Sequence, residues 1–355
     1  MAVTIIAEAG VNHNGDVAMA LDLVDAAAAA GADAVKFQTF RAEAIISRNA
    51  AKADYQKRAT DPGESQLDMV RRLELDEAAH RALIRRCADR RIAFLSTPFD
   101  PGSVELLARL GLDTLKIPSG EVTNPLLLLA AARSGRKVIL STGMCDLADV
   151  ERALGVLAFG YLGGERPGRD AFARAFASPE GKAALAAKVT ILHCTTEYPA
   201  PFADVNLRAM DTLRDAFGLP VGLSDHTPGI SVALAAAARG AAIVEKHFTL
   251  DRTLPGPDHK ASLEPAELAA MVTGIREVEA ALGSGVKAPA PSERANMAIA
   301  RKCLVALAPV KAGEVFTEAN LGAKRADGDI SPDCYWDWLG RPANRDYDAD
   351  QAIRP

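Results

Sequence analysis

Short apolar runs recur along this chain, and eight of them end in a burst of polar, chemically capable residues. They read AEAGVNHNG (from Glu8), VKFQT (Lys36, Gln38), FLSTPF (Thr97), LKIPSGE (Lys116, Ser119, Glu121), VILSTGM (Ser141), ILHCTTEY (ending at Tyr198), VGLSDHT (Ser224, His226) and IVEKHFT (His247). Between most of them lie Ala/Leu-rich stretches of helical period. Strand runs alternating with amphipathic helices predict βα units and a parallel sheet. Eight such units predict a (β/α)8 barrel, in which strand C-termini and the loops after them build the site. The pattern places strand one over 4–9, with Asp16 capping the first helix, and strand two over 34–39. It also places a helix from Asp146 to 158 and a closing helix over 265–282. Two stretches interrupt the rhythm. A polar excursion at 41–65 follows a strand, so it reads either as a lid over the mouth or as a solvated loop. A Gly- and charge-rich stretch from 160, within 160–185, reads as an insertion on the barrel exterior.

At Gly283 the helical period stops in GSGVKAPAPSE, a semi-stiff linker by composition. The domain organisation is therefore a barrel over 1–282, a linker over 283–295 and a small loop-rich β domain over 296–355. With 355 residues, 49% apolar and 25% charged, the chain has the composition of a soluble globular enzyme. A net charge of −5 supplies no bulk positive field for phosphate backbones, which argues against nucleic-acid partners. No apolar run approaches the roughly 20 residues of a membrane span. The opening residues carry no secretory pattern. Five scattered cysteines without CxxC spacing read as reduced thiols. The expected location is cytoplasmic.

His226 and His247 lie at matched positions just past the last two strands, each next to an acid (Asp225, Glu245). Converging imidazoles with carboxylate and water suit a divalent transition ion. With only two protein imidazoles the site stays open, as Lewis-acid catalysis needs. Lys36 and Lys116 at strand ends are costly unless they meet an anion or form a Schiff base. With the hydroxyls of Thr97, Ser119, Ser141 and Ser224 they make a ring suited to a phosphate and a carboxylate on one small ligand. Glu8 and Glu121 are the candidate acid/base pair, each expected to be biased toward the carboxylate by nearby cations. His13 reads as part of a turn. His193 and Cys194, adjacent on a strand, point to opposite faces and make a poor nucleophile pair.

The words IIAEAGVNHNGD, AVKFQTF, FLSTPFD, LKIPSGE, STGM, HCTTEYPAP, VGLSDHTPGI, EKHFTLDRTLPGPDH and KRADGDISP resemble the sialic acid synthases, in order and over nearly the whole chain. The resemblance implies a barrel followed by a small antifreeze-like domain. It implies condensation of phosphoenolpyruvate with the open-chain form of an N-acetylmannosamine-type sugar and water, releasing phosphate. It makes His226 and His247 ligands of Mn²⁺ or Mg²⁺. Lys36, Thr97, Lys116, Ser119, Ser141 and Ser224 become phosphoenolpyruvate-binding residues, and Glu8 and Glu121 acid/base carboxylates. Gln38, Tyr198 and Asp258 fall near the sugar. Arg325 matches an arginine that reaches a partner subunit's barrel, which implies a domain-swapped homodimer. Thr196-Glu197-Tyr198 and the residues after strand two are similar to legionaminic acid synthases, which take a 2,4-diacetamido-2,4,6-trideoxy-mannose. Glu197 then either reads the amide at C4 or sits on the surface.

Two other functions compete. A Schiff-base aldolase or lyase acting on 2-keto sugar acids would use Lys36 or Lys116 covalently and leave the paired histidines without a purpose. A non-catalytic binding protein would leave the polar strand ends unexplained.

Overall fold

A strand of a helix-covered barrel is apolar on both sides, one side meeting the helices and the other filling the barrel. In the computed structural model, which describes residues 2–50 and 64–355, eight parallel strands follow that rule. They are β1 Thr4–Gly10, β2 Ala34–Thr39, β3 Ala93–Pro98, β4 Thr114–Ile117, β5 Lys137–Ser141, β6 Val189–Cys194, β7 Val221–Asp225 and β8 Ile243–His247. Hydrogen bonding runs β3-β2-β1-β8-β7-β6-β5-β4, and β3 lies against β4 to complete the ring. This is a (β/α)8 barrel.

Alternate residues sort into two environments. Ile5, Ala7, Val35, Phe37, Leu115, Val138, Leu140, Val221 and Val244 point outward into the main core, against the helices. Ile6, Ala34, Ile139, Leu192 and Ile243 point inward and form a separate apolar plug low in the barrel. Two residues further along each strand the same inward parity delivers Glu8, Lys36, Ser141, Cys194 and Glu245. Register sets the neighbours: Glu8 lies beside both Lys36 and His247, and Gln38 beside Thr97.

Side-chain N-caps start the surrounding helices. Asp16 opens Val17–Ala29, Asp76 opens Glu77–Arg90, Asp100 opens Pro101–Arg109, Asn124 opens Pro125–Arg133 and Asp146 opens Leu147–Tyr161. The last of these runs beyond its expected end at 158. Gly160 does not stop it, because the missing Cβ is what lets the helix approach its neighbour: a Cβ there would lie 2.5 Å from Ala132 Cβ. The stretch expected as an insertion contains two further helices, Arg169–Ala177 and Pro179–Lys188. They pack on Leu147–Tyr161, with the Phe172 ring edge-on to Phe159 at 5.2 Å.

The excursion at 41–65 falls partly on 51–63, which lie outside the described residues. The described residues on either side of 51–63 form short helices, Ala42–Ile45 and Gln66–Arg71. The chain divides into two compact units, Met1–Gly283 and Ser284–Pro355. In the second, Pro291–Glu293 and Arg294–Ala300 are helical turns and β9 Cys303–Ala306 pairs antiparallel with β10 Leu321–Lys324. A core of Leu304, Val310, Phe316, Leu321, Tyr347 and Ile353 holds this small unit together. All five cysteines are free. Among the described residues no helix is long and apolar enough to cross a membrane.

Candidate active site

The inward residues meet in one cavity of about 380 Å³ at the C-terminal mouth of the barrel. Its floor is a buried ion cluster. Lys36 Nζ sits 2.5 Å from Glu8 and 3.7 Å from Glu245, and donates to Thr97 Oγ1 at 2.9 Å. Lys116 Nζ is 3.1 Å from Glu245, which also accepts from Ser224 Oγ at 3.2 Å. All four charged groups are 5% exposed or less, so burial works against each charge. Burial alone would raise Glu245, but Lys116 and Lys36 acting together hold it down at about 2. Glu8 goes the other way. Burial, with the charge of Glu245 added, outweighs Lys36 and lifts it from 4.5 to about 7. That runs against the expectation that nearby cations bias Glu8 toward the carboxylate. Burial also acts against the Lys116 charge, yet Glu245 and Glu8 raise its pKa.

Above the floor, His226 and His247 converge, their ring centroids 5.4 Å apart, and the Tyr198 ring lies 4.2 Å from His226 and edge-on to His247. His226 Nδ1 is 2.7 Å from Thr195 O. A carbonyl only accepts, so Nδ1 carries a proton and Nε2 is the nitrogen left to face a metal. His247 is kept neutral by burial and by the nearby positive groups His226 and Lys36, which press its pKa well below the ordinary range. Its Nδ1 is buried without a hydrogen-bond partner, 4.0 Å from Asp258. Burial lifts Asp258 to about 6. Two imidazoles and a nearby carboxyl are chemically suited to an open divalent-metal site. Among the described residues, no three His, Cys, Asp or Glu side chains are grouped so as to hold a metal ion.

Ser119 accepts from the Gly143 N–H at 2.9 Å, Glu121 accepts from Asn124 Nδ2 at 2.6 Å, and the buried Ser141 hydroxyl has no partner. The cavity thus brings together Glu8, Lys36, Gln38, Thr97, Lys116, Ser119, Glu121, Ser141, Tyr198, Ser224, His226, His247 and Asp258. Arg325 lies in the second unit, exposed, its Nε donating to Ala300 O at 3.1 Å.

Strand parity corrects one pairing. Asp225 points away from the cavity and binds Lys246 at 2.8 Å, so only Glu245 of the two acids beside the histidines enters the site. Glu197 is exposed and does not line the cavity, whereas its neighbours Thr196 and Tyr198 do. The site also contains Cys194, whose thiol lies 3.7 Å from His226 Nδ1. Burial would raise that thiol, but His226 and Lys116 bring it below its ordinary range. Cys194 and Glu245 were both readable from sequence as the residues one alternation away from Thr196 and His247.

Residues 23–287 match the NeuB family. The chain belongs to the NeuB family. Among NeuB relatives, the N,N'-diacetyllegionaminic acid synthase of Campylobacter jejuni is 51% identical over 99% of this chain and 98% of its own length. The human N-acetylneuraminate-9-phosphate synthase is 33% identical over 90% of this chain and 82% of its own. In structure, the chain is similar to the N-acetylneuraminic acid (sialic acid) synthetase of Leptospira borgpetersenii. The TM-score is 0.68 at 36% identity, covering 84% of this chain and 90% of that one.

Proposed function

We propose that this NeuB-family barrel is a nonulosonic acid synthase of the legionaminate type, joining phosphoenolpyruvate to an open-chain N-acetylmannosamine-type sugar. The observation that carries the reading is the buried Glu8–Lys36–Glu245–Lys116 floor beneath two imidazoles. The 51% identity to the Campylobacter synthase supports the legionaminate branch.

In the condensation, C3 of phosphoenolpyruvate forms a bond to the aldehyde carbon, whose oxygen takes a proton. Water adds to C2 and loses a proton, and the C2–O bond to phosphate then breaks, leaving a 2-keto acid. Lys36, Lys116, Thr97, Ser119, Ser141 and Ser224 supply cations and donors for the carboxylate and phosphate. Holding both reactants in one cavity turns a termolecular encounter into a positioned one. Glu8 and Glu121 exchange the protons that water and the sugar oxygen lose and gain. Gln38, Tyr198 and Asp258 orient the sugar. His226 and His247 would hold Mn²⁺ or Mg²⁺, which when bound polarises the aldehyde oxygen. Arg325, from the partner of a domain-swapped homodimer, would contact the sugar's N-acetyl group.

A Schiff-base lysine must be neutral to attack, and the carboxylates around Lys116 stabilise its protonated form. The aldolase reading is therefore disfavoured.

The test is phosphate release from phosphoenolpyruvate with Mn²⁺, comparing N-acetylmannosamine with 2,4-diacetamido-2,4,6-trideoxy-mannose. Faster turnover with the diacetamido sugar supports the legionaminate type, preference for N-acetylmannosamine makes it a neuraminate synthase, and release with neither overturns the reading. His247→Ala should abolish turnover; near-normal turnover at saturating metal overturns the metal assignment.

A further inference from the structure

The cavity has two chemical characters. Its floor is charged, but a satellite apolar cluster separate from the barrel core covers one side of the mouth. This cluster consists of Val11, Phe40, Ile45, Val70, Leu73 and Phe99. All six line the cavity. Phe40 and Phe99 meet edge-to-face at 6.0 Å, fixing the wall's inner edge. Among the described residues that line the cavity between 40 and 73, none carries a charged side chain, and Gln66 is the one polar member.

Resting on the synthase reading, we propose that this wall selects the terminal carbon of the acceptor sugar, and that the group it takes is a methyl. The aldehyde end must meet phosphoenolpyruvate among the lysines, so the six-carbon chain extends outward from the floor. Val11, Phe40 and Phe99 follow the ends of β1, β2 and β3, Ile45 lies in the described start of the excursion, and Val70 and Leu73 come just after it. The far end of the sugar therefore meets the wall. A methyl buries apolar surface there. A hydroxymethyl loses water hydrogen bonds without gaining partners. A phosphate, such as the name of the human relative places on carbon 9 of its product, finds no cation among the described residues of this wall. Three carbons from phosphoenolpyruvate make the sugar's carbon 6 carbon 9 of the product.

The experiment compares kcat/KM for 2,4-diacetamido-2,4,6-trideoxy-mannose, its 6-hydroxy counterpart 2,4-diacetamido-2,4-dideoxy-mannose, and the 6-phosphate of the latter. The pair differing only at the terminal carbon should favour the methyl by roughly 10- to 100-fold, the range for a hydroxyl entering an apolar pocket. The phosphate should give no detectable turnover. Val70→Thr and Ile45→Thr, both half-buried and near-isosteric or smaller, should each narrow the methyl preference several-fold, with melting temperatures monitored alongside. Equal kcat/KM for methyl and hydroxymethyl acceptors in the unaltered enzyme overturns the inference while leaving the synthase reading standing. So does a preference that both folded variants retain in full. Phosphate release with none of the acceptors overturns both. If the variants fail to fold, the three-acceptor comparison in the unaltered enzyme still decides.

Discussion

Asp225 stands one residue before a histidine and Glu245 two residues before one, and they do opposite things. Side chains one residue apart on a strand face opposite sides, and β7 ends at Asp225 while β8 continues through His247. Glu245 therefore shares the inward face with His247 two residues on, and Asp225 shares the outward face with Lys246 across the pair of strands. Inside, Glu245 is the shared counter-charge of two buried lysines. Glu245→Gln keeps the shape and removes the charge, leaving Lys36 and Lys116 with Glu8 alone. Removing one partner of a buried ion cluster costs about 3–5 kcal/mol, because the remaining charge stays desolvated. Urea unfolding should show that loss. A loss below about 1 kcal/mol would mean that Glu8 takes over the negative charge and that the cluster is not anchored on Glu245. Neither the sharing nor the lifted pKa of Glu8 was legible in the sequence. Both depend on which strands the sheet order makes neighbours and on how deep the mouth sits.

The strands and most helices were legible as elements, since strand ends carried polar bursts and helices carried aspartate or asparagine caps. The helices Arg169–Ala177 and Pro179–Lys188 were not, because Gly163, Gly164 and Gly168 with the surrounding charges read as loop. The apolar wall was missed for a different reason: its members come from three separate loops and show no period in any one of them. Gly160 illustrates how packing overrides propensity. Alanine in a helix interior is ordinarily better than glycine by about 1 kcal/mol. Here the added Cβ would meet Ala132 Cβ at 2.5 Å, and overpacking a buried contact costs about 1–3 kcal/mol. Gly160→Ala should therefore destabilise, lowering the melting temperature by a few degrees. A variant that melts higher would show that the helix has room to shift away from Pro125–Arg133.

Two properties belong to the whole chain. The first is the second unit's contribution to the proposed activity: Arg325→Ala should raise the KM for the sugar severalfold and leave the KM for phosphoenolpyruvate unchanged, and equal KM values for both enzymes would remove Arg325 from the site. A monomer in solution with full activity would remove the domain-swapped dimer. The second is acid stability, set by histidines spread over the barrel. His13, His80, His193 and His259 all have pKa values lowered by burial, and so are neutral in the folded chain near pH 7. His13 falls furthest, from 6.5 to about 4, and its Nε2 is buried without a hydrogen-bond partner. In the unfolded chain it takes a proton below about pH 6.5; folded, it resists protonation until about pH 4. The unfolded state thus binds more protons across that window, so stability rises with pH and is lost as pH falls from 6.5 to 4. The interval corresponds to about 3 kcal/mol for His13 alone. His13→Asn keeps an acceptor for the Gly15 N–H that His13 Nδ1 receives at 3.0 Å and removes the titration. Unfolding free energies from urea melts at pH 7.5, 5.5 and 4.5 should fall steeply in the unaltered protein and by roughly 2.5 kcal/mol less in the variant, even though the variant starts lower from lost packing against Phe37. Parallel declines would remove His13 as a source of the acid sensitivity.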